Sequence, residues 1–181
     1  RTIVHVNSEF YNNETFFKGK NSLNEIELNL LGNVRGKSIL HLQCHFGQDS
    51  ISLARLGAKV TAVDFSEKAI ETAIALNKKS GTDCKFICSD VYSLATVLDQ
   101  KFYIIFTSYG VIGWLPDMQK WANLIASFLK PGGVFVIAEF HPAVWMFDND
   151  FKYVQYSYFK SEPIIETEEG TYADKDAKIN T

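Results

Sequence analysis

Apolar residues recur at helical spacing over residues 23–31, where Leu23, Ile26, Leu30 and Leu31 fall on one side, with Ser22 placed as N-cap and Gly32 as stop. Ser38 to Leu42 then reads as a short apolar strand. Asp49 to Leu56 returns to helical spacing through Ile51, Leu53, Ala54 and Leu56, and Gly57 ends it. Lys59 to Asp64 is β-branched and strand-like. Ser66 is placed to cap a helix whose Ala69, Ile70, Ala73, Ile74 and Leu76 face inward as far as Gly81. Cys84 to Cys88 is a third strand and Phe102 to Thr107 a fourth. Pro116 opens a helix carrying Trp121, Leu124, Ile125, Phe128 and Leu129. Lys130-Pro131-Gly132-Gly133 turns the chain into a fifth strand, Val134 to Ala138.

Near-continuous apolar strands separated by helices predict an α/β, doubly wound Rossmann-like domain, its parallel sheet covered on both faces. Right-handed crossovers restrict the order in which such strands can lie. Residues 22–142 form this core. Residues 1–21, with Phe10, Tyr11, Phe16 and Phe17, read as an extension able to dock as a lid. Residues 143–181 break the pattern. The loose alternation of Tyr153, Gln155, Tyr156, Tyr158 and Phe159 predicts a small antiparallel insertion after the fifth strand, within residues 151–172.

Composition narrows the class of protein. A chain of 181 residues with a net charge of −3 carries no basic footprint for nucleic acid or an anionic membrane. No apolar run approaches the roughly 20 residues that span a bilayer. Three cysteines in apolar runs fit reduced thiols of a cytoplasmic protein, and no metal-ligand spacing accompanies them. The acidic run Glu166-Thr167-Glu168-Glu169 reads as a solvated edge.

Parallel sheets bind ligands where their strands end at the carboxyl edge. The loop Gln43-Cys44-His45-Phe46-Gly47 joins the first strand to a helix at the place of a nucleotide loop. A G-x-G-x-G pattern would let a ligand approach the backbone, but here Gln43 and His45 stand at two of the three positions and only Gly47 is glycine. Histidine is among the side chains enriched at positive φ, so His45 can hold an unusual turn. Asp64 ends the second strand, where an acidic residue accepts bonds from ribose hydroxyls. Asp90 follows the third strand, within reach of an adenine amino group.

The segments Ile39 to Gly47, Val63-Asp64-Phe65-Ser66, Ser89-Asp90-Val91 and Leu129 to Gly133 together resemble the successive motifs of class I S-adenosylmethionine-dependent methyltransferases. The resemblance covers about residues 37–142. His41 stands where that family carries an acidic residue. The resemblance implies a sheet order 3-2-1-4-5-7-6, of which this chain supplies five strands, and hence a further C-terminal portion. It also implies an S-adenosylmethionine site. Gln43, His45 and Gly47 would line the first loop of that site, Asp64, Phe65 and Ser66 the second, and Asp90 and Val91 the third. Ser108 and Tyr109, after the fourth strand, would complete the site, and Tyr11 of the extension is expected near the methionine end as part of a lid, where simple hydrophobic docking is the alternative.

Two other readings share the strand–loop–helix start. A nicotinamide or flavin oxidoreductase would place a pyrophosphate at the helix N-terminus, which Asp49 would repel. A non-catalytic module would keep the fold as a ligand sensor or partner. For a methyltransferase, the acceptor is expected to be a small molecule, and the sequence sets no oligomeric state. Tyr109, Trp114, Glu139 and His141 lie where the acceptor should enter. His141 is a candidate base, with Glu139 orienting it or binding a cationic acceptor, and Tyr109 completes the candidate catalytic set. Trp121 falls on a helix's apolar stripe and is expected in the core.

Overall fold

The computed structural model describes residues 11–148 and 150–159. Among the described residues, two short helices, α1 (Asn13–Phe17) and α2 (Glu25–Leu31), precede the alternating core. Strand β1 (Ser38–Leu42) leads through α3 (Gln48–Arg55) to β2 (Lys59–Asp64), and then through α4 (Glu67–Ser80) to β3 (Lys85–Cys88). A 3-10 turn, Val91–Thr96, connects to β4 (Phe102–Ser108), and α5 (Met118–Phe128) leads into β5 (Leu129–Ala138). The five strands form one sheet in the order β3-β2-β1-β4-β5, every neighbouring pair parallel. This is the order that the resemblance implies for its first five strands.

Side chains alternate between two cores, as the pleat requires. Ile39, Ala62, Ile104, Phe106 and Val136 pack with Leu31, Ile51, Leu53, Ile70 and Phe16 on one face. Leu40, Leu42, Val63 and Ile105 pack with Leu94, Trp121, Ile125 and Phe128 on the other. Burial on both faces explains why these strands read as unbroken apolar runs. Trp121, only 4% exposed, belongs to this second core.

Several local expectations shift. Asn24 caps α2 with a reciprocal bond to Glu27, and Ser22 instead donates to Asp49 and approaches Ser52. Ile26, Leu30 and Ile74 are more than half exposed, because each helix is covered on a narrower stripe than its apolar residues span. Asp117 caps α5 by accepting from the Lys120 amide, leaving Pro116 before the cap and outside the first turn. In β5, Leu129 pairs with Phe102 and Val134 with Ile104, so residues 130–133 bulge out of the ladder as the Pro-Gly-Gly turn. Beyond β5, residues Pro142–Met146 form a 3-10 turn, and among the described residues one antiparallel bridge joins Phe147 to Val154, while residues 160–172 of the expected insertion lie outside the described residues. Phe10, the acidic run and the remainder of 160–181 lie outside the described residues.

Candidate functional site

The carboxyl edge of the sheet gathers the loops that the sequence singled out. After β1 the backbone enters the left-handed region three times, at Gln43 (φ 52°), His45 (φ 51°) and Gly47 (φ 81°). These are the three positions of the G-x-G-x-G pattern, so the trace keeps a glycine-loop conformation although two glycines are replaced. Such a conformation costs a non-glycine residue about 1–3 kcal/mol and persists only where surroundings over-determine it. Gly47 is the one position without a substitute. A β-carbon there would lie 2.7 Å from the Phe86 ring and 3.0 Å from Ala73.

The surroundings that hold the loop are identifiable. The Cys44 amide donates to the Val63 carbonyl at 2.9 Å, and the His45 amide donates to Asp64 Oδ2 at 2.8 Å. Asp64 Oδ1 accepts the Ser66 amide at 2.9 Å, and Ser66 in turn caps α4. Asp64 is 8% exposed, and burial pushes its carboxyl up, against the lowering by its amide donors. Phe65 beside it is 76% exposed. Asp90 is exposed two residues after the end of β3, its Oδ1 accepting the Tyr92 amide at 2.7 Å, and the adjoining Val91 is buried. From the extension, the Tyr11 ring lies edge-on to Phe46 at 4.6 Å and 5.8 Å from His45, while its carbonyl accepts Gln48 Nε2 at 3.0 Å.

A polar cluster underlies the β1 and β4 ends. Asp49 in the first turn of α3 accepts Ser22 Oγ at 2.7 Å and Ser108 Oγ at 3.2 Å. Burial raises its carboxyl, partly offset by those two hydroxyls and reinforced by the nearby Glu27. Glu27 is 1% exposed and closes the capping box through the Asn24 amide at 2.6 Å. Sequence reading missed Glu27, although Asn24 followed three residues later by a glutamate is the pattern that marks a capping box. The Tyr109 hydroxyl accepts Asn24 Nδ2 at 3.4 Å, and burial, with a hydrogen bond to Glu27, raises its pKa. His41 is buried at 2% exposure with Nδ1 2.8 Å from Ser50 Oγ, and desolvation lowers its pKa to about 3. The position that is acidic in the family therefore holds a neutral ring here.

On the acceptor side, Tyr109 and Phe140 have ring centroids 5.4 Å apart, and Phe140 meets Trp145 edge-on at 6.2 Å. Trp114 stands 75% exposed on the loop after β4. His141 caps the 3-10 turn that follows it, its Nδ1 accepting the Ala143 amide at 3.2 Å. The neutral ring in that arrangement carries its proton on Nε2 and is set to donate from there. Glu139 does not orient it. That carboxylate is taken up by the amides of Gly110, Val111, Ile112 and Phe140, because the β4 loop folds back over the end of β5. Among the described residues, no group of three His, Cys, Asp or Glu side chains could hold a metal, and no helix is long and apolar enough to cross a membrane.

Comparison with known proteins agrees with this architecture. The profile of the family described as "Methyltransferase domain" matches residues 39–133, just over half the chain. The ubiquinone biosynthesis O-methyltransferase of Bordetella avium is 28% identical over 130 residues, covering 70% of this chain and 54% of that protein. The chain thus spans about half the length of the curated relatives it matches. Among solved structures, an S-adenosylmethionine-dependent methyltransferase from Mesorhizobium loti superposes with a TM-score of 0.59 at 27% identity, covering 72% of this chain and 58% of that one. The glycopeptide N-methyltransferase MtfA, solved with S-adenosylmethionine, superposes with a TM-score of 0.51 at 22% identity, covering 60% of this chain and 49% of its own. The chain belongs to the class I S-adenosylmethionine-dependent methyltransferases.

Proposed function

We propose that this chain binds S-adenosylmethionine across the carboxyl ends of β1, β2 and β3 and directs its methyl group to a small acceptor carrying a hydroxyl. The observation that carries the reading is the loop 43–47, which keeps three left-handed residues with one glycine and is tied by its His45 amide to Asp64. Asp64 holds the ribose. Its Oδ2 accepts the His45 amide and its Oδ1 the Ser66 amide, the Phe65 amide also donates to the carboxylate, and of its roughly four lone-pair positions one is left for a hydroxyl. Asp90 takes the adenine amino group, with exposed Phe65 and buried Val91 on either side of the base and Ser66 bracing the loop. The backbone of Gln43, His45 and Gly47 meets the methionine portion, Tyr11 covers it, and Ser108 closes it from β4, with Tyr109 turned to the acceptor mouth against Phe140.

When bound, S-adenosylmethionine supplies a methyl group activated by its sulfonium. The chain's part is to orient the acceptor and exclude water, which can provide several kcal/mol of such a barrier. Tyr109 and Phe140 form an apolar wall for a flat acceptor, and the proton that the acceptor hydroxyl loses as its oxygen takes the methyl passes to His141 Nε2, in the tautomer whose Nδ1 carries the hydrogen and has released the Ala143 amide. The names of the ubiquinone-biosynthesis relatives support a small acceptor and transfer to oxygen. Asp49 in the first turn of α3 supports this reading over a dinucleotide, whose pyrophosphate it would repel.

Titration calorimetry with S-adenosylmethionine, S-adenosylhomocysteine and NAD tests the proposal. Binding of the first two without NAD is expected. NAD binding alone would make the chain an oxidoreductase domain, and binding of none would make it a non-catalytic module.

A further inference from the structure

Glu139 follows the last residue of β5 and has an unusual set of partners. Its Oε1 accepts the amides of Gly110 at 2.6 Å and Phe140 at 2.8 Å. Its Oε2 accepts those of Val111 at 2.7 Å and Ile112 at 3.1 Å. Three of these donors are successive amides of the loop after β4, converging on one anion as backbone nests do. The loop enters through two left-handed residues, Tyr109 (φ 37°) and Gly110 (φ 75°), and the Tyr109 amide donates to the Ala138 carbonyl at 2.7 Å. A tyrosine in that conformation is strained, and the surrounding bonds must hold it.

We infer that Glu139 is a positioning residue: its carboxylate is the built-in anion around which residues 109–112 fold, and it sets Tyr109 at the acceptor mouth. The inference rests on the methyltransferase reading for its catalytic consequence, and on geometry alone for the loop. Charge-assisted bonds are about twice as strong as neutral ones, so four of them on one carboxylate outweigh the strain at one tyrosine. Burial pushes the Glu139 carboxyl up, but its amide donors more than offset this and leave it below the usual carboxylate range. A carboxylate so occupied is neither the partner of His141 nor a counter-charge for a cationic acceptor. Its effect reaches the acceptor through Tyr109, whose ring meets Phe140 and whose hydroxyl is bonded by Asn24.

Glu139→Gln tests this, because its amide nitrogen presents hydrogens where the loop also presents hydrogens. Hydrogen exchange at Gly110, Val111 and Ile112 should accelerate about tenfold or more, the scale of losing one such bond. S-adenosylhomocysteine affinity should stay within about twofold of the wild type, less than the worth of one hydrogen bond. With catechol as the probe acceptor, kcat should fall about 10- to 100-fold while KM for S-adenosylmethionine holds, as expected for a misplaced acceptor wall. In Glu139→Ala, added formate should restore protection at the three amides and raise the Tm, with no such effect on the wild type. Unchanged exchange in the Gln variant, or absence of formate rescue, overturns the inference. Loss of cofactor affinity in parallel with kcat also overturns it, placing Glu139 in the cofactor pocket. A wild type that binds no S-adenosylhomocysteine refutes the methyltransferase reading instead, and the exchange and rescue results still decide the role of Glu139.

Discussion

The Asp64 carboxylate accepts the backbone amide of His45 at 2.8 Å and thereby joins the loop after β1 to the end of β2. One residue thus shapes the first loop and, on the proposed reading, is the acceptor for the ribose. Asp64→Ala should weaken S-adenosylhomocysteine binding by tenfold or more, since bonds to a charged group contribute about 1.5–3 kcal/mol each. It should also lower the Tm of the ligand-free protein, because the His45 and Ser66 amides lose their partner. Calorimetry that finds the affinity unchanged would remove Asp64 from the site.

Gln43 and Gly47 share a left-handed backbone but should respond oppositely to substitution. Gln43 Oε1 is buried with no hydrogen-bond partner among the described residues. Gln43→Gly removes both that unsatisfied oxygen and the backbone strain, and should raise stability by about 1 kcal/mol after the entropy cost of glycine. Gly47→Ala forces a β-carbon into the Phe86 ring and should cost about 2–3 kcal/mol. Urea unfolding measures both. An earlier midpoint for Gln43→Gly would mean that the glutamine side chain holds the loop.

His41 predicts an acid-sensitive fold. The unfolded chain takes up a proton at the ordinary value of 6.5, whereas the buried ring does so only at about 3. Between those values the unfolded state binds more protons, so stability falls as the pH drops, by about 1.4 kcal/mol per unit. His41→Gln keeps a polar atom for Ser50 and removes the titration. Denaturant melts from pH 7 to pH 4 should show a flatter acid limb for that variant, and identical slopes would contradict the assignment.

Tyr11 packs on Phe46 and His45, so the segment that carries it lies on the loop proposed above to meet the methionine end. S-adenosylhomocysteine should slow amide exchange over residues 11–20. Tyr11→Ala should weaken its binding by about 1 kcal/mol, the worth of one aromatic contact. Exchange indifferent to the ligand throughout this segment would reduce it to simple docking.

The strand and helix order was legible because burial on both faces writes itself as unbroken apolar runs, and because Ser66 and Gly81 cap α4 by local rules. Helix starts were less secure. Ser22 and Asn24 are both capping residues two positions apart, and only the commitment of Ser22 to Asp49 and Ser52 leaves Asn24 as the cap. Similarly, Ile74 belongs to the apolar pattern of α4, but the width of its buried face depends on what packs against it.

By itself the sequence determined the alternating architecture, the first-loop position, and Asp64 and Asp90 at their strand ends, since periodicity and capping act within a few residues. It did not show that Gln43 would adopt the backbone of a glycine, or that Glu139 would serve the loop after β4 and leave its neighbour His141 alone. Those outcomes depend on β1 lying between β2 and β4, and on β5 lying beside β4. Strand order brings Asp64 to the His45 amide and Glu139 to the amides of Gly110, Val111 and Ile112. Hydrogen bonds between segments so distant in the chain have no local signature, and only tertiary packing holds the strained backbone that they support.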